Sequence, residues 1–111
     1  MKIPQDADGD AMRRVIEHGS DPYRPMDIDF MIACPDTESA ESIAPLAAEA
    51  GYSVSISVDK EDGSITCYCM RTMTLDYDSL ISCQNELDEI GRQHDGYIDG
   101  WGTFGNGPEP K

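Results

Sequence analysis

Tyr52-Ser53-Val54-Ser55-Ile56-Ser57-Val58-Asp59-Lys60-Glu61-Asp62-Gly63-Ser64-Ile65-Thr66-Cys67-Tyr68-Cys69-Met70-Arg71-Thr72-Met73-Thr74 reads as a β-hairpin, and the remaining elements are arranged around it. Tyr52, Val54, Ile56 and Val58 alternate with Ser53, Ser55 and Ser57, which is the period-two pattern of a strand with one wet face. Asp62-Gly63 supplies turn residues that tolerate positive φ. The returning strand, Ser64 to Thr74, is ambiguous in its facing. Either Cys67, Cys69 and Arg71 or Thr66, Tyr68 and Met70 could point away from the core.

Immediately outside the hairpin lie two helical segments. Upstream, Cys34-Pro35-Asp36-Thr37 opens a helix that runs to about Ala50, with Gly51 at the C′ position. Pro45 interrupts it, and a proline in mid-helix costs about 3 kcal/mol, so a late start, a kink or a split is expected. Downstream, from Asp76 to about Gln93, Leu80, Ile81, Leu87 and Ile90 fall on one helical face. Asp76 or Asp78 stands at its amino end and His94 near its carboxyl end.

One strand flanks this set on each side. Met26 to Ala33 alternates Asp27, Asp29 and Met31 against Ile28, Phe30 and Ile32, and Tyr97 to Thr103 closes the series. A short helix, Asp8 to His18, precedes it, with Met12, Val15 and Ile16 at helical spacing. The order is a helix followed by β-α-β-β-α-β, the split β-α-β order of the ferredoxin-like α+β fold. Two helices there cover one face of a four-stranded antiparallel sheet and leave the other open. The chain reads as a single domain, 1–111, with an ordered core of about 8–104 and a short flexible tail, 105–111.

With 22 acidic and 8 basic residues and a formal charge of -14, direct nucleic-acid binding is excluded as the leading function. Such binders gain most of their affinity by neutralising phosphates. The open face expected on the central strand carries Asp27 and Asp29 where an RNA-recognition sheet needs stacking aromatics and bases. Cys34-Pro35-Asp36, after the first strand, would repel the phosphate that an acylphosphatase-like loop must cradle. Met1-Lys2-Ile3-Pro4 leads into acidic residues with no apolar stretch, and no run approaches the roughly 20 residues of a membrane helix. The four cysteines, at 34, 67, 69 and 83, lack paired zinc spacing. A cytoplasmic protein with reduced thiols, no membrane association and no cofactor is therefore expected.

Smaller constellations read as structural. Asp6, Asp8, Asp10 and Glu17 occupy positions 1, 3, 5 and 12 of a calcium-loop pattern, but Ala11 stands where the sharp turn needs glycine, so helix capping is the preferred account and no metal site is assigned. His18 and His94 sit at expected helix ends. Asp27 and Asp29 share a side of their strand, yet no nucleophile stands beside them, so an acidic patch rather than a catalytic pair is expected. No catalytic residue is assigned. In the closing strand Tyr97, Asp99 and Trp101 alternate to one side, two aromatics bracketing a carboxylate. Trp101 either plugs one end of the core or anchors a partner, and the row as a whole suits a basic protein segment.

The Asp99-Gly100-Trp101-Gly102-Thr103 run resembles the closing strand of the regulator of ribonuclease activity B (RraB) family. His18-Gly19-Ser20-Asp21-Pro22 resembles that family's link from first helix to first strand, and Gly51-Tyr52-Ser53-Val54 its entry to the second. The similarity spans about Asp8 to Thr103. One departure is Ile98, where the family's namesake has tyrosine before Asp-Gly-Trp. The resemblance implies a non-enzymatic bacterial regulator that binds and inhibits a protein partner, ribonuclease E or its degradosome scaffold, and so modulates RNA turnover. Asp27, Asp29, Tyr97, Asp99 and Trp101 are the partner-binding candidates, their carboxylates engaging arginine-rich segments that otherwise hold RNA. The other readings are a small-ligand or metal-sensing domain, using the open sheet face or the Asp6 to Glu17 segment, and an interaction module unrelated to RNA decay. Oligomeric state is not specified by any feature of the chain.

Overall fold

The computed structural model describes residues 3–107, so residues 108–111 of the expected tail lie outside the described residues. Seven elements follow one another: α1 (Ala7–Glu17), β1 (Met26–Cys34), α2 (Thr37–Glu49), β2 (Ser53–Val58), β3 (Ile65–Met73), α3 (Tyr77–Arg92) and β4 (Tyr97–Thr103). All three helices start in the same way. Asp6, Asp36 and Asp76 each stand at the N-cap and accept a hydrogen bond from the backbone N–H three residues on, Gly9 at 2.7 Å, Ser39 at 2.7 Å and Ser79 at 2.9 Å. Each bond satisfies one of the donors a helix start leaves unpaired.

Pro45 neither splits nor delays α2, which is continuous through it. Its ring lies on the exposed side of the helix. The carbonyl that loses its partner, that of Glu41, belongs to an exposed residue on that solvent side, where water can replace the missing bond.

The sheet runs β2-β3-β1-β4 with every neighbouring pair antiparallel, as the split β-α-β order requires. α2 lies over β2 and β3, and α3 over β1 and β4. α1 packs against α3 and drives Met12 into the common core. That core is built from Ile28, Phe30 and Ile32 of β1, Cys67 and Cys69 of β3, Ile43 of α2, and Leu80 and Leu87 of α3, all fully buried. The facing of β3 is thereby settled: Cys67, Cys69 and Arg71 lie under the helices, and Thr66, Tyr68 and Met70 face out.

Arg71 is accommodated on the helix side by specific partners. Its guanidinium stacks over the Tyr52 ring at 3.9 Å and donates to the Ala50 carbonyl at 2.7 Å and to Cys83 Sγ at 3.4 Å. Tyr52 in turn meets Phe30 edge-on, with ring centroids 6.0 Å apart, and donates its hydroxyl to Glu86 at 2.9 Å. Burial, with Cys83 and Glu86 beside it, pushes the Tyr52 phenol far above its ordinary range. All four cysteines are free, with three buried and Cys34 half-buried.

Residues 105–107, expected in the tail, are tied down. Asn106 Oδ1 accepts from Asp21 N at 2.8 Å, and its Nδ2 donates to the carbonyls of Asp21 and Arg24 at 3.0 Å. The chain after β4 is thus strapped to the loop between α1 and β1.

Candidate functional site

With α1, α2 and α3 all on one side of the sheet, nothing among the described residues covers its other face, and the strand registers arrange that face in rows. Ser53, Met70, Asp29 and Gly102 form one row across the four strands, and Ser55, Tyr68, Met31 and Gly100 the next. A third consists of Ser57, Thr66, Ala33 and Tyr97, and Asp27 pairs with Thr72 beyond the first. Neighbours within such a row stand about 4.5–5.5 Å apart at Cβ. Met31, Tyr68 and Met70, each half-buried, therefore form an apolar strip in the middle of the face.

Two carboxylates flank that strip on β1. Asp27 is exposed and held in place, since its Oδ1 accepts from the Thr72 hydroxyl at 2.6 Å; Asp29 is half-buried between Met70 and Gly102. Across β4, Gly100 and Gly102 contribute no side chain, and a Cβ built at either meets nothing within 4 Å. The apolar strip thus opens sideways onto a bare ledge of backbone. Tyr97, 49% exposed, stands at the end of that ledge. No lysine, arginine or histidine occupies any of these rows. A cationic segment carrying apolar side chains is the complement of such a surface.

The expected single row of Tyr97, Asp99 and Trp101 does not exist. Ala33 pairs with Tyr97 and Ile32 with Ile98, but Met31 pairs with Gly100, so Asp99 is an extra residue in β4. It forms a β-bulge, and Gly100 next to it has φ 121°, a conformation that side chains rarely tolerate. The bulge shifts the alternation by one. Tyr97 stays on the open face, Asp99 is exposed at the irregularity, and Trp101 lies opposite Phe30 on the helix side.

Trp101 is therefore an internal strut. Its ring packs against the core, and its indole N–H donates to Asp8 Oδ1 at 2.9 Å; the same oxygen accepts from Gln84 Nε2 at 3.2 Å. One carboxylate on α1 thus ties β4 and α3 together. Beside it the Tyr77 hydroxyl donates to Asp6, which holds the Asp6 carboxyl below its usual range and pushes Tyr77 up to about 12. The calcium-loop spacing is also accounted for. Asp8, Asp10 and Glu17 lie on a helix that Asp6 caps, and Asp10 pairs with Arg13 at 2.8 Å. Among the described residues no three potential ligands converge as a metal site would need.

Of the five partner-binding candidates, the structure brings Asp27, Asp29 and Tyr97 onto one face, leaves Asp99 at its edge and removes Trp101 from it. Met31, Tyr68 and Met70 are the members that sequence reasoning did not select. Met31 was expected on the open face from its alternation with Asp27 and Asp29 but was not selected, whereas the signal for Tyr68 and Met70 lay in the Thr66, Tyr68 and Met70 alternation, which the rival cysteine set masked.

Residues 5–103 match the family described as Regulator of ribonuclease activity B. Proteins of that name are similar along most of the chain. The one from Actinobacillus succinogenes is 34% identical over 104 residues, covering 86% of this chain and 73% of its own. That from Escherichia coli is 29% identical over 101 residues, covering 87% and 73%. That from Haemophilus influenzae is 31% identical over 98 residues, covering 85% and 64%.

Proposed function

The chain belongs to the regulator of ribonuclease activity B family, and on that premise we propose that it regulates a ribonuclease by binding protein, without catalysing a reaction itself. The observation that carries this reading is the open sheet face: an apolar strip of Met31, Tyr68 and Met70, with Asp27 and Asp29 beside it and no cation in its rows. Ribonuclease E or its degradosome scaffold is the partner in this proposal. Arginine-rich segments that otherwise hold RNA would meet the carboxylates, and apolar side chains between the arginines would seat on Tyr68, Met31 and Tyr97. Occupying those arginines withdraws them from RNA, which is inhibition without chemistry. Trp101 contributes by fixing the β4 edge that carries Tyr97 and Asp99.

Affinity for a recombinant ribonuclease E scaffold segment, measured by calorimetry across salt concentrations, tests the proposal. The dissociation constant is expected to rise with salt, and Asp27→Lys with Asp29→Lys should weaken binding by about tenfold or more, since two attractive contacts become repulsive. Both residues lie away from the core, so the variant should keep its fold. Affinity indifferent to salt and to the double substitution would overturn the electrostatic mechanism; no binding at all would overturn the partner.

A further inference from the structure

The last turn of α1 and the strap that follows β4 enclose an open cleft of about 640 Å³ at the outer edge of the sheet. Its lining includes Ala11 and Val15 from α1, Trp101 from β4, and Phe104. Phe104 is fully exposed, and nothing among the described residues is laid over its ring. The volume lies within the roughly 300–1,000 Å³ of small-molecule sites, which are mostly apolar with a few placed polar groups.

The charge of this cleft runs against that of the chain. The protein carries 22 acidic residues, yet the described lining holds no carboxylate and does hold Arg14 and His18. These two stand four apart at the end of α1, so they rise from one side of the helix. Among the described residues Arg14 has no ion-pair partner, whereas Arg13 pairs with Asp10 and Arg92 with Asp88. The indole N–H of Trp101 is already committed to Asp8, which fixes the ring and leaves it only apolar surface to offer.

We propose that this cleft is a binding site for a small aromatic carboxylate, its ring laid against Trp101 and Phe104 and its anionic group held by Arg14 with His18 beside it. Flat apolar walls recognise the ring, and an unpaired guanidinium recognises a carboxylate by charge-assisted hydrogen bonding. A neutral ring would leave the guanidinium unused; a polyanion would be repelled by the net charge of the chain. Apart from Gly102, the cleft shares no residue with the rows of the open sheet face, so the site stands or falls independently of partner binding there.

The test is an NMR titration of the full chain with 2-naphthoate, with neutral 2-naphthamide as the paired probe. Naphthoate is expected to shift the single tryptophan indole N–H and the Val15 methyls saturably, and naphthamide to bind about tenfold more weakly, the worth of one charge-assisted contact. Arg14→Glu, on the exposed side of α1, should weaken naphthoate about tenfold and leave naphthamide unchanged. Arg24→Glu, outside the cleft, serves as the charge-matched control and should leave both unchanged. The proposal is overturned if neither probe moves Trp101 up to its solubility limit, if the two probes bind equally, if the shifts map to the open sheet face, or if Arg14→Glu and Arg24→Glu behave alike.

Discussion

Asp8→Ala removes an oxygen that holds two elements to α1, and its cost can be worked from the two bonds it breaks. Hydrogen bonds to a charged acceptor are worth about 1.5–3 kcal/mol when buried, and Asp8 is only half-buried, so about 1 kcal/mol each is reasonable for Trp101 and Gln84. The loss is then about 2 kcal/mol. At about 2.1 cal/mol/K of unfolding entropy per residue, a chain of this length moves its midpoint by about 4 °C for each kcal/mol, so a fall of about 8 °C is expected. Alanine recovers a few tenths of a kcal/mol in helix propensity and gives up a favourable carboxylate near the helix start. A double-mutant cycle with Trp101→Phe cancels both terms and isolates the indole bond, for which a coupling of about 1 kcal/mol is expected. Urea unfolding followed by circular dichroism supplies all four stabilities. In the wild type, tryptophan emission should be shifted to the blue of free tryptophan. A coupling indistinguishable from zero, or emission matching free tryptophan, would refute Trp101 as an internal strut.

Two further outcomes follow from the same geometry. Gly96→Ala places a Cβ 2.9 Å from the Ala33 carbonyl and 3.2 Å from Ile43 Cδ1, so thermal melts should show a loss of about 1–3 kcal/mol; an unchanged midpoint would mean that the turn into β4 yields to the added methyl. Acid titration should also destabilise the fold in a defined window. The Ile98 N–H and then Arg92 hold Asp88 below its usual value of 3.8, and hydrogen bonds to Ser39 hold Asp36 below it in the same way. A depressed carboxylate contributes stability that is complete above its unfolded pKa and is lost as pH falls through the lower folded one, so stability should hold down to about pH 4–5 and decline below it. Asp88→Asn should flatten that decline, and an equally steep loss in the variant would remove Asp88 from the account.

Strand and helix order was legible because the signals that encode it are local. The serine alternation of Ser53 to Ser57 and the aspartates before each helix are readable within a few residues of where they act. Pro45 misled because its cost depends on which side of the helix it occupies, and that is set by which face α2 turns to the sheet. The facing of β3 was open for a related reason. Arg71 reads as a surface residue until Tyr52, Ala50 and Cys83 are seen to receive it. The candidate site was legible on β1, where alternation is unbroken, and misread on β4, where one inserted residue reverses it. Nothing in the local pattern separates the bulge glycine at 100 from the glycine at 102, which sits in regular pairing on the open face. The partner that reveals the facing of Trp101, Asp8, lies at the other end of the chain.

The bulge at Asp99 also divides labour within a stretch that looks like one motif. Residues up to 98 are read in one phase and those from 100 onward in the opposite phase, so a seven-residue strand presents an outward vocabulary at its start and an inward one at its end. Tyr97 can then vary with whatever the open face must meet while Trp101 stays bound to the needs of the interior, although the two lie four positions apart. A change that deletes or inserts one residue here would exchange those duties, placing the indole in solvent or the phenol in the core. The signature is better understood as a hinge between two grammars than as a single word.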